Sequence, residues 1–354
     1  MRRNQLAPVL LLAVCAACSN GGDVNSTVPT VPEGAATSTS VLATSLPTAS
    51  SVEPSTSAVP SSTLAPVAWQ PAPTAPAGLH LTVSEFDRVR VHTLVAPAEL
   101  TANSAHVVET ADHVLIVDAG NSRDTAEAFR TYVDAIGKPI ERVVLSHGHP
   151  DHWFGVALAF PHDLIWADAR TIERIAERGN GDIQRLSAFF PADQIPSEPV
   201  VITNTLEAGT IDLDGVLLDV DVVETAEAPS QVVISIPEAK VLIAQDLVYS
   251  DGHLFTGNGS FQEWISVLES FAATTDDEWI VLAGHGMPTT RAIFAAEIDY
   301  LNAAEGAHMS ATSAAEYVEA MTELYPDMAD PLILQFAANQ LFSEGGFATT
   351  TTGA

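Results

Sequence analysis

The sequence predicts an α/β fold for residues 78–345, and three observations lead to that prediction. Short apolar strands open this part of the chain. A helix follows them, because apolar side chains recur at helical spacing from Ala126 to Ile136 and Gly137 is placed to end the helix. Strands and helices then alternate towards the C-terminus. A stretch of this length is enough for one domain with a substantial core.

The predicted elements follow one another along the chain. The opening strands are Leu81–Glu85, Val89–Val95, His106–Thr110 and Val114–Asp118, and the strand after the first helix is Arg142–Ser146. The later elements are a helix at Ala169–Arg178, strands within 200–224, a hairpin of Gln231–Ile236 and Lys240–Ala244 turned at Pro237 and Glu238, a helix at Phe261–Ala272, a strand at Trp279–Ala283 and a helix at Arg291–Ala303. This order is consistent with an αββα sandwich whose loops gather at one sheet edge.

A helical extension, residues 306–345, follows the main domain of residues 78–305. Ser313 and Glu316 have the spacing of a capping box ahead of an apolar helix, and a second apolar helix runs from about Leu332 to Leu341. We expect the apolar faces of these helices to form core or a dimer surface rather than a substrate lid.

The most distinctive segment chemically is the loop 146–152, which follows an apolar strand and contains three histidines and an aspartate. Neutral imidazoles and ionised carboxylates are ligands that suit zinc and similar divalent ions. His147 and His149 are two residues apart and face the same way in an extended segment, whereas Asp151 and His152 enter a new turn. The spacing therefore predicts a metal site with room for a second ion, and a polar surface loop is the alternative.

This H-x-H-x-D-H segment resembles the metal loop of the metallo-β-lactamase superfamily. Other landmarks of that family occur in the same order, namely Asn103 before an early strand, Asp118 at the end of the next strand, Asp246 after a late hairpin strand and His285 at the end of a further strand. Gln245 departs from the pattern, because glycine is usual at that position. The resemblance covers residues 103–285 and implies an αββα metallo-β-lactamase-like sandwich.

The same resemblance implies one or two divalent metal ions, with zinc preferred and iron or manganese also compatible with the ligands. Asp118 would support the metal loop through hydrogen bonds without binding metal itself. The implied ligands form two sets that share one aspartate: His147, His149 and Asp246 for the first ion, and Asp151, His152, Asp246 and His285 for the second.

One ligand of the family pattern is missing. Thr225 stands where a third histidine is expected, and a neutral hydroxyl is a poor zinc ligand. Three interpretations stay open: a carboxylate from Glu224 or Glu227 replaces the histidine, the site holds one ion firmly and another weakly, or the site has drifted away from catalysis. His253 lies on the loop after Asp246, where it either contacts metal or substrate or, as we favour, is a solvated loop histidine.

The N-terminus resembles a bacterial lipoprotein signal, residues 1–18. A basic head is followed by an apolar run, Leu6–Ala17, that is too short to span a bilayer, and small residues precede Cys18. We expect cleavage before Cys18 and its lipidation, with an ordinary secretory signal as the alternative; both place the protein outside the cytoplasm. Cys15 and Cys18 are the only two cysteines, so the mature domain has neither a disulfide nor a thiol nucleophile.

Residues 19–77 have the composition of a tether between the signal and the domain. They are rich in Ser, Thr, Pro, Ala and Val, and no aromatic residue occurs before Trp69. Such a segment cannot bury enough apolar surface to offset the entropy of ordering it, which predicts disorder.

The net charge narrows the range of partners. The chain carries 14 Lys and Arg against 45 Asp and Glu, a formal charge of −31 at pH 7. Such a surface repels polyanions, so a nucleic-acid partner is not expected and the ribonuclease and DNA-repair branches of the superfamily are disfavoured. The flavodiiron branch is also disfavoured, because it has an acidic ligand where His149 stands. Small neutral or zwitterionic substrates are more compatible with this acidic surface than polyanions are.

The resemblance implies hydrolysis of a small acyl compound, a lactone, ester, thioester or lactam, by a metal-bound hydroxide. Asp151 would orient the nucleophile and pass its proton to the leaving group. Within this class we prefer a lactonase to a β-lactamase, because no dedicated antibiotic pocket is evident. The alternative is a non-catalytic metal- or ligand-binding lipoprotein that kept the fold and lost turnover, which Thr225 and Gln245 suggest.

Overall fold

A computed structural model describes residues 65–343, which form two packed β-sheets flanked by helices. The first sheet contains β1 (His80–Glu85), β2 (Arg90–Val95), β3 (Ser104–Glu109), β4 (Val114–Val117), β5 (Ile140–Val144), β6 (Ile165–Ala167) and β7 (Asn204–Thr205), arranged in chain order. The second contains β8 (Gly209–Leu213), β9 (Val216–Glu224), β10 (Ser230–Ile236), β11 (Val241–Tyr249), β12 (Ile280–His285) and β13 (Thr289–Thr290), in the order β13-β12-β11-β10-β9-β8.

Helices cover the outer faces of both sheets. They are α1 (Arg123–Ile136), α2 (Pro150–Ala159), α3 (Ala169–Leu186), α4 (Phe261–Thr274), α5 (Ala292–Ser310), α6 (Ala314–Leu324) and α7 (Pro331–Leu341). Helices α1 to α3 share a buried cluster with the first sheet, and α4 to α7 share another with the second. The αββα sandwich predicted from the sequence is therefore confirmed.

Successive side chains along a strand point to opposite faces of the sheet, one towards the helices and the other towards the second sheet. Val107 and Ile116 point outwards and pack in the same cluster as Phe129 of α1, whereas their neighbours Val108 and Leu115 point inwards to the second sheet. All five are buried, and full burial of one such side chain contributes about 1.5–3 kcal/mol. The sandwich is thus held by apolar layers on both faces of each sheet.

Two parallel strand pairs create the edge at which the predicted site residues meet. Strands β4 and β5 run parallel in the first sheet, and β11 and β12 run parallel in the second, so the carboxyl ends within each pair lie together. Isolated bridges join Asn103 to His285 and His147 to Gln231 at this edge. These bridges connect the two sheets where the metal loop leaves β5.

Helix α3 is longer than the sequence indicates. It was predicted to end at Arg178, but it continues to Leu186 through Gly179 and Gly181. Gly179 is required by packing, because a Cβ there would lie 2.8 Å from a side-chain carbon of Pro199. Further along, the Asp182 carboxylate pairs with Arg174 at 2.8 Å and stabilises this last part of the helix.

The C-terminal extension is part of the main core. Tyr317 and Met321 of α6 and Leu334 of α7 lie in one buried cluster with residues of α4, α5 and the second sheet. Of the predicted capping box, Ser313 accepts a hydrogen bond from the Glu316 amide, while the Glu316 carboxylate accepts from residue 312 instead of Ser313. The expectation of core packing for these helices is confirmed.

The folded part of the chain begins before residue 78, where the sequence analysis placed the domain boundary. The Trp69 indole N–H donates to the Phe86 carbonyl at 2.8 Å, and its ring lies 4.9 Å from the guanidinium of Arg90. The Gln70 carbonyl accepts a bond from Arg90 at 2.7 Å. The end of the segment assigned to the tether is therefore fixed by an aromatic contact with a buried arginine.

The signal peptide, Cys18 and the tether as far as residue 64 lie outside the described residues. In the part of the chain that the structure does describe, no helix combines the length and apolar character needed to cross a bilayer.

Candidate metal centre

Asp118 organises the loop that follows β5. Its buried carboxylate accepts bonds from the Ser146 amide at 2.9 Å, the Ser146 hydroxyl at 2.6 Å and His152 Nδ1 at 2.8 Å. The Gln245 side-chain amide donates to the same carboxylate. Asp118 therefore binds groups that hold the metal loop in place and not the inward-facing ligand atoms, as the resemblance implies.

Three imidazoles each turn one nitrogen towards a common centre. His152 donates from Nδ1 to Asp118, His285 donates from Nδ1 to the Thr101 carbonyl at 2.6 Å, and His147 Nδ1 lies 3.0 Å from the Ser146 hydroxyl. Because each Nδ1 has a partner, each Nε2 is the nitrogen that faces inwards. This arrangement is typical of histidines that bind metal.

A first group of side chains offers four ligand atoms that all lie within 4.8 Å of one another: His147, His149, Glu227 and Asp246. His149 comes from the N-terminus of α2, where Pro150 begins the helix. Its Nδ1 lies 3.0 Å from Glu227 Oε1. The two histidines predicted for the first ion are therefore brought together with Asp246 and with one of the two candidate carboxylates.

Glu227 reaches the position left open by Thr225. Thr225 adopts a left-handed conformation with φ 58°, and its amide donates to the Pro229 carbonyl, which closes a tight loop between β9 and β10. The loop turns the fully buried Glu227 towards the histidines. Glu224, the other candidate, is exposed and pairs with Arg170 at 3.4 Å, so the structure does not bring it to the site.

A second group consists of Asp151, His152 and His285, whose ligand atoms also lie within 4.8 Å of one another. Asp246 stands between the two groups. One of its oxygens lies 3.1 Å from His152 Nε2, and the other lies 3.3 Å from His285 Nε2 and 3.7 Å from His147 Nε2. Asp246 is thus in the shared position that the resemblance assigns to it.

The electrostatics of the cluster favour positive charge. Burial lowers the pKa of His152, but the carboxylates of Asp246, Asp151 and Asp118 outweigh this effect and raise its pKa well above the ordinary value. Burial raises the pKa of Asp246, while His152 and His285 more than reverse the shift and hold it well below normal. A divalent cation would supply the positive charge that this acidic cradle stabilises.

Two buried atoms show that the residues present fit a metal ion. His147 Nε2 and Glu227 Oε2 have no hydrogen-bond partner within residues 65–343, and they face each other at 3.7 Å. That separation is too long for a hydrogen bond. It is close to the roughly 3.4 Å between two tetrahedral ligands that each lie ~2.1 Å from one ion. Buried polar atoms of this kind call for a ligand, and the donor set suits a divalent cation.

Tyr249 is a site residue that the sequence analysis did not identify. Its ring stacks on His285 with centroids 4.8 Å apart, and its hydroxyl donates to Asp246 Oδ2 at 2.8 Å. Burial and the negative charges of Asp246 and Glu227 raise the pKa of this phenol, so it remains a hydrogen-bond donor. The only sequence signal was a tyrosine three residues after the predicted aspartate, at the end of the same strand.

Gln245 stands where the family usually has glycine, and its side chain has a structural role. The prediction ended its strand at Ala244, but β11 continues to Tyr249 across a register shift at Gln245, where φ is 47°. The buried amide accepts from His106 Nε2 at 2.7 Å and donates to Asp118. The side chain therefore links strand β3 to the support of the metal loop.

His253 is neither a metal contact nor a solvated loop residue. It is buried, and its Nδ1 lies 3.0 Å from the Tyr300 hydroxyl. The favoured expectation of solvent exposure was wrong because the amide of His253 pairs with the Ala329 carbonyl of the C-terminal extension, which covers this loop. His253 belongs to neither ligand group.

Solved structures similar to this chain are metallo-β-lactamases. The enzyme from Pontibacter korlensis has 17% identity and a TM-score of 0.48, over 63% of this chain and 99% of that chain. FIM-1 from Pseudomonas aeruginosa, in its mono-zinc form, has 16% identity and a TM-score of 0.49, over 66% and 98%. DIM-1 has 18% identity and a TM-score of 0.46, over 63% and 98%.

No curated protein matches the chain. The family model of the metallo-beta-lactamase superfamily matches residues 99–285, which is more than half of the sequence. The matched region begins at the turn before β3, ends at His285 and includes both ligand groups. This chain therefore belongs to the metallo-β-lactamase superfamily.

Proposed function

We propose that this protein is a metal-dependent hydrolase of a small acyl compound, namely a lactone, ester, thioester or lactam. The observation that carries the proposal is the meeting of two ligand groups around Asp246, with side chains from the metal loop, the β9–β10 loop, β11 and β12. Membership of the superfamily supports the same reaction class. The fold alone does not choose among the acyl substrates.

The two groups would hold one or two divalent ions, with zinc preferred on its match to imidazole and carboxylate ligands. When bound, such ions supply a nucleophile at neutral pH by lowering the pKa of water, and they polarise a carbonyl oxygen. Glu227 would complete the first group, because its unpartnered oxygen faces His147.

We propose that Asp151 moves the proton during hydrolysis. Its side chain is 31% exposed, whereas those of His152, Asp246 and His285 are at most 2% exposed. One of its oxygens lies 3.3 Å from His285 Nε2. In our proposal Asp151 takes a proton from the attacking water on the open side of the cluster and delivers it to the leaving group.

Two aromatic residues shape the surroundings of the reacting atoms. Tyr249 donates to Asp246 Oδ2 and holds the shared carboxylate in one orientation. Phe255 presents its ring to the edge of His149, with centroids 5.1 Å apart, and forms an apolar wall beside the first group. An acyl chain would be accommodated better than a charged group next to this wall.

The test uses the full-length protein loaded separately with zinc, iron(II) and manganese(II). A panel of a lactone, a thioester, an aryl ester and a cephalosporin is assayed with and without chelator. We expect chelator-sensitive hydrolysis of at least one class, and Asp246→Asn should lower kcat/KM by about 100-fold or more. Glu224→Gln is the matched control, because Glu224 is exposed and paired outside the site.

A protein that binds metal but hydrolyses no member of the panel would contradict the proposal. It would favour the non-catalytic metal- or ligand-binding lipoprotein instead. Retained hydrolysis in Asp246→Asn would equally exclude the ligand assignment.

We also propose that the protein is exported and anchored by lipid at Cys18, on the basis of the signal-like residues 1–18. Fractionation of cells that produce the wild type and Cys18→Ser tests this proposal. The wild type should be found with membranes and the variant should not; equal distribution of the two proteins would reject lipidation.

A further inference from the structure

The loop that follows β11, residues 250–260, contacts the first ligand group at two points. The ring of Phe255 meets the edge of His149, with centroids 5.1 Å apart. The side-chain amide of Asn258 donates a hydrogen bond to the main-chain carbonyl of Glu227. The loop therefore touches two of the four residues that offer ligand atoms to a first ion.

The C-terminal extension holds this loop in place. The Thr256 hydroxyl lies 2.8 Å from the Tyr317 hydroxyl of α6, and the His253 amide donates to the Ala329 carbonyl, between α6 and α7, at 3.0 Å. Both partners lie beyond residue 285, where the match to the superfamily model ends. The support of the loop is thus supplied by a part of the chain that the superfamily model does not cover.

The hydrogen bonds at Asn258 can run in one direction only. The Glu227 main-chain carbonyl can accept but not donate, so Asn258 must present its Nδ2 group to that oxygen. This orientation leaves Asn258 Oδ1 as an acceptor, and Gln340 Nε2 of α7 donates to it at 3.0 Å. The two amides therefore form a chain of hydrogen bonds that runs from α7 to the backbone of Glu227.

Glu227 is a ligand whose direction depends on how its loop is held. Its side chain is 1% exposed, and its Oε2 atom has no hydrogen-bond partner within residues 65–343. The bond from the Thr225 amide to the Pro229 carbonyl, 3.2 Å long, closes the loop but lies within it. The bond from Asn258 connects the loop to a separate segment of the fold. A group of this kind, one shell outside the ligand atoms, orients a ligand and strengthens metal binding.

We propose that Asn258 is a positioning residue for Glu227 and that Gln340 holds Asn258 in that role. The inference rests on the metal site of the proposed function, and it gives the C-terminal extension a part in metal binding. Asn258 touches neither the ion nor the substrate. By fixing the backbone of Glu227, it keeps the carboxylate directed at His147 and His149 and raises the affinity of the first ligand group for its ion.

The test is a stepwise zinc titration of the full-length, metal-free protein against a chromophoric chelator, which measures binding without turnover. The titration gives a dissociation constant for each ion, and Glu227→Gln identifies the step that belongs to the first ligand group. We expect Asn258→Ala to raise the dissociation constant of that step by about tenfold or more and to leave the other step unchanged. Gln340→Met should raise the same constant by about threefold, because it acts one hydrogen bond further from the ligand.

Gln335→Met is the matched control on the same helix. Gln335 is exposed, and its amide donates to Asn339 at 3.2 Å instead of to the loop, so both dissociation constants should stay at their wild-type values. The double variant Asn258→Ala with Glu227→Gln separates positioning from a general structural role. Because Asn258 acts through Glu227, its removal should not weaken the first step further once the carboxylate is gone.

Three results would overturn the proposal. Equal weakening of both steps in Asn258→Ala would show a general loss of structure and not a lost support of Glu227. Additive losses in the double variant would show that Asn258 acts independently of the carboxylate. If Asn258→Ala fails to fold, Gln340→Met decides the question, because an unchanged first step in that variant would also overturn the proposal.

These outcomes are separate from those of the hydrolase proposal, because the titration does not depend on turnover. A selective loss of affinity for the first ion, in a protein that hydrolyses no acyl substrate, would support the positioning role and refute the enzyme. Hydrolysis by a protein whose zinc dissociation constants do not change in Asn258→Ala would support the enzyme and refute the positioning role.

Discussion

At the scale of single residues, Glu227 is the side chain that would complete the ligand set of a first ion. Its carboxylate completes the group formed by His147, His149 and Asp246. Burial raises the pKa of Glu227, and the neighbouring His149 opposes that rise. The chain therefore buries an acidic ligand that is stabilised only by the cationic or hydrogen-bonding groups around it.

We expect Glu227→Gln to reduce metal content from about two ions per chain to about one, because a neutral amide oxygen is a poorer zinc ligand. The measurement is elemental analysis after dialysis against a weak chelator. Glu224→Gln, an exposed change of the same kind on the same hairpin, should retain the wild-type content. Loss of metal in both variants, or in neither, would show that Glu227 is not a ligand.

At Gln245 the free-energy cost of a strained backbone is opposed by the hydrogen bonds that the side chain forms. Its left-handed backbone, with φ 47°, costs a non-glycine residue roughly 1–2 kcal/mol. The buried side chain forms hydrogen bonds with His106 and Asp118. Removing this side chain would leave each of these two groups without its partner, at a cost of about 1–3 kcal/mol each. The lost bonds outweigh the relieved strain.

Gln245→Gly should therefore destabilise the protein by about 1–3 kcal/mol in chemical unfolding and weaken metal binding as well. Lys240→Gly is the control, because Lys240 has a similar φ of 53° but its side chain is 38% exposed and pairs with the surface carboxylates of Asp276 and Glu278 instead of buried groups. We expect the control to keep or increase stability. A gain in stability for Gln245→Gly would mean that strain, and not the buried bonds, dominates at this position.

At the scale of secondary-structure elements, α7 packs on the core with one side and faces solvent with the other. Leu334 on its inner side is buried in the same cluster as Trp264 of α4 and Tyr317 of α6. Leu332 on its outer side is 41% exposed. A helix that the sequence identified only as an apolar stripe is thus attached to the core beside the second sheet.

The contribution of α7 to stability can be measured with a matched pair of substitutions. Leu334→Ala removes a fully buried side chain and should lower the free energy of unfolding by about 3 kcal/mol. Leu332→Ala, on the exposed side of the same helix, should change it by less than about 0.5 kcal/mol. Equal effects in urea unfolding would argue that the packing of α7 on the core contributes little to stability.

At the scale of the whole molecule, a buried ionic cluster on β2 and β3 of the first sheet makes stability depend on pH in acid. Glu109 accepts bonds from Arg90 at 2.7 Å and from His92 at 2.8 Å, and Lys138 lies 2.9 Å away. Burial raises the pKa of Glu109, but the bonds from His92, Lys138 and Arg90 reverse the shift and lower its pKa to about 2.

The stability supplied by ionised Glu109 is complete above its unfolded pKa of about 4.5 and is lost as pH falls through about 2. We expect Glu109→Gln to cost about 3 kcal/mol at pH 7, because Arg90 loses its buried partner, and to flatten the fall in stability between pH 4.5 and 2. The measurement is urea unfolding across pH. Glu85→Gln, an exposed neighbour 3.6 Å from Arg90, should cost less than about 1 kcal/mol at pH 7. An unchanged acid slope in Glu109→Gln would show that other carboxylates govern it.

The αββα layering and most of the candidate ligands could be predicted from the sequence. Alternating apolar residues fix which face of a strand is buried, and the histidines of the metal loop are close in sequence, so their spacing alone indicates a shared direction. Asp246 and His285 were identifiable through the family resemblance, which places each at or near the end of an apolar strand. The parallel pairing of β11 and β12 brings these strand ends together.

Folding in three dimensions determines which carboxylate lies near His147 and His149 and what surrounds the candidate metal centre. The choice of Glu227 over Glu224 depends on a left-handed turn at Thr225, and the burial of His253 depends on pairing with residue 329. The hydrogen bond from His285 to the Thr101 carbonyl joins residues that are 184 positions apart. Local patterns carry no information about such meetings, because loop conformation and long-range packing are set by the whole folded chain.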